Sequence, residues 1–248
     1  MRIKVLLEND NVLNEHGLSL YIEKGNEKIL FDAGQSDLFY KNGKMMNVDF
    51  DKIKIVVLSH GHYDHGNGLK YLSNKTLICH PDAFLRRYAA NDRYIGLNQS
   101  REEIKMKYNL IESKDPYYIS DDICFLGEIK GRPTKYHLED GSIDYINDDS
   151  AIAINTEKGI VVIAGCSHSG IENIIEYAKK VMKNNKVYAV IGGFHLKEIN
   201  ENTKKLIDVF KDIENIYTGH CTQKHVIDYF NENNLNVKKL KSLMEIDL

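Results

Sequence analysis

The sequence lacks long apolar runs, and neither sign of charge is in large excess. Its apolar runs have the length of a strand, far below the roughly 20 residues that a helix needs to cross a bilayer. Thirty-three basic and 36 acidic side chains give a net charge of −3, which excludes a general attraction to nucleic acid or anionic membranes. The N-terminal segment turns acidic too early for a secretory signal peptide. We therefore expect a cytoplasmic protein whose partner is a small molecule.

Cysteine and proline are also scarce. The four cysteines (Cys79, Cys124, Cys166 and Cys221) form no Cys-x-x-Cys pair, and a chain of 248 residues does not need disulfides to hold a core, so we expect reduced thiols. Three prolines, no repeat and no low-complexity tract give no sign of a linker, which predicts a single domain over residues 1–248. Neither a Gly-x-Gly-x-x-Gly fingerprint nor a Gly-Lys-Ser/Thr phosphate loop is present, which argues against the nucleotide-binding enzymes that use them.

Apolar patterning predicts an α/β fold of the α+β type. Strands come first, and in the last third of the chain strands alternate with helices, which favours two sheets packed face to face with helices outside. The segment 82–122 has few apolar runs and several arginines and tyrosines, which is typical of an insertion that lies over a core. We predict strands at 2–7, 18–23, 28–32, 54–58, 76–79, 123–126, 143–146, 151–155, 160–164, 187–191, 216–217 and around 237, and helices at 36–46, 100–107, 170–183, 202–213 and 222–233.

One motif says more about function than any other part of the sequence. Residues 58–66 read Leu-Ser-His-Gly-His-Tyr-Asp-His-Gly, directly after the apolar run that predicts a buried strand. Within six residues they contain four candidate metal ligands: His60, His62, Asp64 and His65. Residues two apart in an extended chain point the same way, so His60 and His62 can bind one cation together.

Asp64 and His65 follow where the pattern turns helical, and they therefore face a second point a few ångströms away. Imidazole nitrogens and a carboxylate suit zinc, iron or manganese. Neighbouring ligand sets of this kind build hydrolytic sites with two ions roughly 3.5–4 Å apart. The sequence thus predicts one or two divalent ions, with zinc as the first choice.

This motif, His-x-His-x-Asp-His, resembles the signature of the metallo-β-lactamase-fold hydrolases. Further landmarks occur in that family's order, and their details are similar to the branch labelled dihydropterin-ribofuranosyl-aminobenzene phosphate synthase-like. The resemblance implies a four-layer αββα sandwich with the metal site at one sheet edge. The landmarks are Leu-Phe-Asp-Ala-Gly at 30–34, Ile-Val-Val-Ile-Ala-Gly at 160–165, Gly-Cys-Ser-His-Ser-Gly at 165–170, Gly-Gly-Phe-His-Leu at 192–196 and Thr-Gly-His-Cys-Thr at 218–222.

The resemblance implies two more ligands, His168 and His220, which each follow an apolar strand. The family's bridging aspartate is replaced by Cys166, which can bind zinc as a thiolate or pack as a small apolar side chain. The family's middle histidine is not evident either. Asp149 lies near that place, and His137 is an alternative. These departures leave the number of metal ions open.

Other residues are candidates for supporting roles. His195 follows an apolar strand and is a candidate to bind metal, donate a proton or hold substrate. Asp32 is expected behind the ligands, where a carboxylate can accept the second ring N–H of a ligand histidine. We expect His16 in a plain loop, and Cys221 to pack rather than bind metal. Three arginines of the insertion either recognise an anionic substrate or form a solvated face: Arg86, Arg87 and Arg93.

Together these features predict a metal-dependent hydrolase. A metal ion lowers the pKa of a bound water, and the resulting hydroxide attacks an ester, lactone, amide or phosphoester. Asp64 then orients the metal or takes the water's proton. Two alternatives stay open. The branch resemblance implies a transferase that joins a methylated dihydropterin to ribofuranosyl-aminobenzene phosphate with loss of diphosphate, and the other alternative is a metal-binding sensor without turnover.

Overall fold

Two seven-stranded sheets dominate the part of the chain that the structure describes. The structure is a computed structural model, and it describes residues 1–9, 15–130 and 134–248. The chain divides into two compact units, and each sheet lies within one of them. The single domain over residues 1–248 stays a prediction. The first unit comprises Met1–Lys114, Pro133–Asp148 and Lys241–Leu248, and the second comprises Asp115–Arg132 and Asp149–Leu240.

Short strands and helices alternate along the described residues. None of these helices has the length and apolar character that a membrane span requires. In chain order the elements are β1 (Arg2–Leu7), β2 (Ser19–Lys24), β3 (Glu27–Phe31), α1 (Leu38–Met45), β4 (Ile55–Val57), α2 (Tyr63–Gly66), β5 (Lys75–Cys79), β6 (Arg87–Tyr88), α3 (Arg101–Lys107), β7 (Tyr108–Glu112), β8 (Tyr117–Ser120), β9 (Ile123–Phe125), β10 (His137–Leu138), β11 (Ala151–Thr156), β12 (Gly159–Ala164), α4 (Ile171–Met182), β13 (Val187–Gly193), α5 (Glu201–Phe210), β14 (Asn215–Gly219), α6 (Lys224–Glu232), β15 (Val237–Lys239) and β16 (Glu245–Asp247).

The sheet of the first unit has the strand order β16-β1-β2-β3-β4-β5-β7. Strands β3, β4, β5 and β7 run parallel, so their carboxyl ends lie at the same edge. Phe31 is paired with Val57, and the N–H of Asp32 donates to the carbonyl of Val57 at 2.8 Å. The residues that follow β3 and β4 therefore leave the sheet side by side, which brings Asp32 to the metal motif.

The sheet of the second unit has the order β15-β14-β13-β12-β11-β9-β8. Strands β12 to β15 run parallel, with Ala164 opposite Gly192 and Gly193 opposite Gly219. Helix α4 is amphipathic, because it buries residues at the spacing of one helical face and exposes charged residues on the other. These buried residues are part of the unit's core: Ile171, Ile174, Ile175, Ala178 and Met182.

The two large sheets with their helices confirm the predicted mixed α/β fold class. The predicted strand at 143–146 is wrong. Ile143 forms an isolated bridge with His137 but is 52% exposed, Tyr145 is 44% exposed, and the buried Asp144 pairs with a buried arginine, so this segment does not form a strand. Within the predicted insertion the sequence interpretation missed three strands: β6 pairs with β10, β7 joins the edge of the first sheet, and β8 joins the edge of the second.

Candidate metal site

A buried aspartate organises the loop between β4 and α2. The Asp32 carboxylate accepts the N–H of Ser59 at 2.7 Å, the hydroxyl of Ser59 at 2.8 Å and Nδ1–H of His65 at 2.6 Å. The backbone of Asp32 has a φ of 57°, a left-handed conformation that aspartate tolerates better than most residues. Because Nδ1 of His65 donates to this carboxylate, the lone pair of the ring lies on Nε2, the form that binds metal.

The same network sets the tautomer of His60. An ionised carboxylate only accepts hydrogen bonds, so the Ser59 hydroxyl donates to Asp32 and must accept from Nδ1–H of His60, which lies 2.9 Å away. The lone pair of His60 is then on Nε2, which lies 3.0 Å from Nδ1 of His62. One carboxylate therefore determines the metal-binding form of two histidines.

The donors of this loop form two neighbouring pairs. Nε2 of His60 and Nδ1 of His62 are 3.0 Å apart, and Nε2 of His65 and Oδ2 of Asp64 are 3.7 Å apart. Two nitrogens that bind one tetrahedral zinc ion at roughly 2.0–2.1 Å stand roughly 3.3–3.4 Å from each other. Both separations are close to this value, and all four side chains are buried. The donor set fits one or two divalent ions.

Burial also keeps His62 in its metal-binding form. Desolvation, reinforced by the positive charge of Arg87, lowers the pKa of His62 to about 3. The ring is therefore neutral at physiological pH, and a neutral imidazole is the species that binds a metal ion.

His16, which we expected in a plain loop, contacts this group of donors. Its Nε2 lies 2.9 Å from Oδ2 of Asp64, and 48% of its side chain is exposed. No motif marks His16 in the sequence, because more than 40 residues separate it from the carboxylate that it contacts.

A buried ion-pair cluster supports the loop from the other side. Arg87 is fully buried and forms ion pairs with Asp148 at 2.8 Å and with Asp144 at 3.4 Å. Asp148 also accepts the N–H of Gly61 at 2.7 Å. Burial raises the pKa of Asp148, but Arg87 and the N–H of Gly61 outweigh it and hold the pKa below its ordinary value. A Cβ at Gly61 would lie 1.9 Å from the carbonyl oxygen of Ala83, so only glycine fits here.

The three arginines of the insertion differ in exposure. The side chain of Arg87 is unavailable to a substrate, because it is buried among carboxylates. Arg86 is 58% exposed and pairs with Glu139 at 2.9 Å. Arg93 is exposed and lies 6.0 Å from the ring centre of Tyr63. Two of the three predicted arginines are thus on the surface.

The second unit presents donors at the ends of its parallel strands. Cys166 and His168 follow β12, His195 follows β13, and His220 and Cys221 follow β14. The ligand atoms of Cys166, His220 and Cys221 all lie within 4.8 Å of one another. The rings of His168 and His195 have their centres 4.5 Å apart. The strand ends of this unit therefore gather two imidazoles in one place and a histidine with two thiols in another.

Backbone turns position these side chains. Ser167, His195 and His220 have φ values of 58°, 48° and 49°, in the left-handed region that residues other than glycine rarely adopt. Such conformations concentrate at functional sites, where the surrounding structure holds them. Asp149 accepts the N–H and the hydroxyl of Ser169 at 2.9 and 2.7 Å, which anchors the turn after β12.

Two further histidines, His137 and His80, have clear partners. His137 pairs with Asp92 at 3.0 Å and stacks on Tyr88 with ring centres 5.5 Å apart, so it lies in the small β6–β10 ribbon. Nδ1 of His80 accepts the N–H of Asp82 at 3.0 Å and caps a 3₁₀ turn. His80 therefore has a structural role.

Comparisons with known proteins agree with this geometry. Residues 14–148 match the family model of the metallo-beta-lactamase superfamily. The chain is 39% identical over 239 residues to an uncharacterized protein of Methanocaldococcus jannaschii, covering 89% of this chain and 90% of that protein. It is 34% identical over 246 residues to the 7,8-dihydropterin-6-methyl-4-(beta-D-ribofuranosyl)-aminobenzene-5'-phosphate synthase of the same organism, covering 86% of this chain and 83% of the synthase.

Solved structures also resemble this chain. A metal-dependent hydrolase of the beta-lactamase superfamily is similar with a TM-score of 0.86 and 28% identity, over 100% of this chain and 99% of that one. The Zn²⁺-bound PqqB of Methylobacterium extorquens shares the fold alone, with a TM-score of 0.62 and 12% identity over 100% of both chains. These matches confirm the resemblance found in the sequence, and the chain belongs to the metallo-β-lactamase superfamily.

Proposed function

We propose that the protein is a metal-dependent hydrolase of a small anionic substrate that carries an ester, lactone, amide or phosphoester. The network around Asp32 supports this most strongly, because it places the lone pairs of His60 and His65 on Nε2 beside two further donors, His62 and Asp64. A divalent ion held there, zinc by preference, supplies Lewis acidity and an activated water. The hydrogen bonds of Asp32 and Ser59 hold the rings of His60 and His65 in position before a metal ion binds.

Asp64 has the chemistry to handle the proton of the attacking water. It is the one carboxylate among the four donors of the motif, and it lies 2.9 Å from Nε2 of His16. Asp64 can accept the proton or hold the water by a hydrogen bond, which are the tasks of a general base. We further propose His195 as a proton donor, and His168, His220, Cys166 or Asp149 as additional ligands. These assignments rest on the family resemblance.

Substrate recognition is assigned to the exposed arginines. Arg86 and Arg93 are accessible, and Arg93 lies over Tyr63, the residue that follows His62 in the motif. A guanidinium in this position favours a substrate with a phosphate or carboxylate group. Arg87 is better assigned a positioning role, since its partners are buried aspartates.

A cytoplasmic location stays a prediction from composition.

A transferase is the second candidate. The 34% identity to the synthase favours it, because the match spans most of both chains. In this reaction the methyl carbon of a dihydropterin that carries a diphosphate bonds to ribofuranosyl-aminobenzene phosphate, the bond from that carbon to the diphosphate breaks, and the acceptor takes the place of the attacking water. The exposed arginines fit the phosphate of that substrate as well as the anionic group of a hydrolase substrate.

Metal analysis and product analysis test these proposals together. The purified protein is assayed for zinc, iron and manganese, and then with a panel of phosphoesters, lactones and thioesters. The same preparation is incubated with the dihydropterin and ribofuranosyl-aminobenzene phosphate substrates, each alone and in combination. We expect bound metal, and hydrolysis that is lost in His60→Ala/His62→Ala and kept in His225→Ala, a control on the exposed face of α6.

Each result assigns a different function. Turnover only when both transferase substrates are present would reject hydrolysis in favour of the synthase reaction. Bound metal without any turnover would reject both enzymes in favour of a sensor. Full retention of metal by the double variant would show that His60 and His62 do not bind it.

A further inference from the structure

The histidine and two cysteines at the strand ends of the second unit lie close together. The Sγ atoms of Cys166 and Cys221 and a ring nitrogen of His220 lie within 4.8 Å of one another. Ligands of a tetrahedral zinc ion, with Zn–S of about 2.3 Å and Zn–N of about 2.0–2.1 Å, stand roughly 3.3–3.8 Å apart. The three atoms are therefore within about an ångström of a zinc-binding arrangement.

Strand register brings these residues together. Cys166 follows β12 and His220 follows β14, and β13 lies between these strands in a parallel sheet. At the end of β13 the N–H of Gly193 donates to the carbonyl of Gly165 at 2.8 Å. A Cβ at Gly193 would lie 2.6 Å from Sγ of Cys221, so glycine provides the space that the sulfur occupies.

The backbone of His220 explains how two consecutive residues reach one point. Neighbouring side chains of an extended strand point to opposite faces. His220 instead has a φ of 49°, a left-handed turn that breaks the alternation. Both His220 and Cys221 consequently lie beside Cys166.

The environment of Cys221 suits a thiolate ligand. Its Sγ accepts the N–H of His195 at 3.1 Å, which holds the sulfur beside Cys166 and His220. The thiol also contacts the carbonyl oxygen of Cys166 at 3.5 Å, a long contact that a metal ion would replace. Cys221 is partly exposed, whereas Cys79 and Cys124 are buried. Burial raises the pKa of both Cys79 and Cys124, that of Cys124 to about 12, which makes them poor ligands.

We propose that Cys221 joins Cys166 and His220 as a metal ligand, and that its thiolate makes the bound ion zinc or another thiophilic ion. Soft thiolates select zinc over magnesium, calcium and manganese. The proposal goes beyond the proposed function, because the ion binds here whether the protein hydrolyses, transfers or only senses.

Cobalt substitution tests the site without reference to activity. The metal-free full-length protein is titrated with Co²⁺ under anaerobic conditions, and the near-ultraviolet charge-transfer absorption of Co²⁺–thiolate bonds is recorded. We expect Cys221→Ser to lose roughly half of this absorption, because one of two thiolate ligands is removed, and to bind zinc at least about tenfold more weakly. Cys124→Ala, a buried cysteine of the same unit, should retain both.

Two outcomes would overturn the proposal. Full absorption in Cys221→Ser would show that Cys221 does not bind the ion. Absorption that disappears in Cys166→Ser, with zinc affinity unchanged in Cys221→Ser, would assign the ion to Cys166 without its neighbour.

Alkylation of the wild-type protein gives an answer that does not depend on how the variants fold. Iodoacetamide labelling of the native protein, read out by peptide mass spectrometry, is compared with and without zinc. We expect zinc to slow the labelling of Cys221 at least about tenfold, since a metal-bound thiolate is no longer a nucleophile. Equal labelling rates with and without zinc would contradict the proposal.

Discussion

In each unit an aspartate accepts two hydrogen bonds from a serine, but the two carboxylates have different roles. Asp32 accepts the N–H and hydroxyl of Ser59 at 2.7 and 2.8 Å, and Asp149 accepts the same two groups of Ser169 at 2.9 and 2.7 Å. Asp32 also accepts Nδ1–H of His65. The first pair thereby sets the tautomers of His60 and His65, whereas the contacts of the second pair hold the backbone of a turn.

The candidate donors of the two units also differ, in their spacing along the sequence and in their donor atoms. In the first unit all four lie within six consecutive residues and offer nitrogen and oxygen. In the second unit the sulfur donors Cys166 and Cys221 are 55 positions apart and meet through strand register and left-handed turns. A compact motif needs side-chain hydrogen bonds to order it, while a dispersed donor group is ordered by the sheet that carries it.

The largest effect is expected from removing the support of the first unit's loop. Arg87→Met leaves Asp148 and Asp144 buried without their cation, which should lower the free energy of unfolding by about 3–5 kcal/mol. Urea denaturation of the variant and of Arg86→Met measures this. The Arg86 control loses an exposed pair with Glu139, a hydrogen bond to the hydroxyl of Tyr88 and a contact with the ring of Tyr94, and it should cost about 1 kcal/mol. Equal losses in both variants would show that the buried cluster is not what holds the loop.

The next effect concerns turnover. Asp64→Asn keeps the shape of the side chain but loses its charge and basicity, so we expect the rate with any substrate found to fall by at least about 10²-fold while the fold survives. Steady-state kinetics and circular dichroism check the two parts. A fall of less than about threefold with an unchanged spectrum would mean that Asp64 is neither ligand nor base, and His195 would be the next residue to replace.

The contrast between the units also explains what the sequence could predict. The shared cation of His60 and His62 could be predicted from the motif at 60–65, because alternate residues of an extended chain point to the same side. This rule requires no knowledge of the fold. Most strands and helices followed from apolar periodicity in the same way. The prediction of a strand at 143–146 was wrong because the buried Asp144 forms an ion pair with Arg87, and no local sequence pattern indicates that ion pair.

Long-range contacts account for the remaining differences. Arg87 lies in a basic and aromatic segment that looks like a solvated face, yet its partner Asp148 is 61 positions away. Cys221 lies close to Cys166 and His220, and the left-handed φ of His220 that allows this is visible only in the structure. Tertiary partners and unusual backbone angles are the information that the periodicity of one sequence does not contain.

A smaller effect is predicted for the carboxylate behind the ligands. Asp32→Asn fits the same left-handed backbone, but its amide group cannot accept all three hydrogen bonds from Ser59 and His65. We expect zinc affinity to fall by roughly 10–100-fold, as for other partners of metal-binding histidines. Competition with a chromophoric chelator measures the affinity. Asp37→Asn, which alters only an exposed pair with Lys41, is the matched control and should bind zinc like the wild type.

The smallest effect compares the two serines directly. Ser169→Ala removes one hydroxyl hydrogen bond to Asp149 and should cost about 1 kcal/mol of unfolding free energy, because the N–H contact remains. Ser59→Ala removes a hydroxyl that links Asp32 to His60, so it should weaken zinc binding as well as stability. Urea denaturation and chelator competition on both variants separate the two quantities. If Ser169→Ala weakens zinc binding as much as Ser59→Ala does, Asp149 orders ligands as Asp32 does, and the contrast between the two aspartates is wrong.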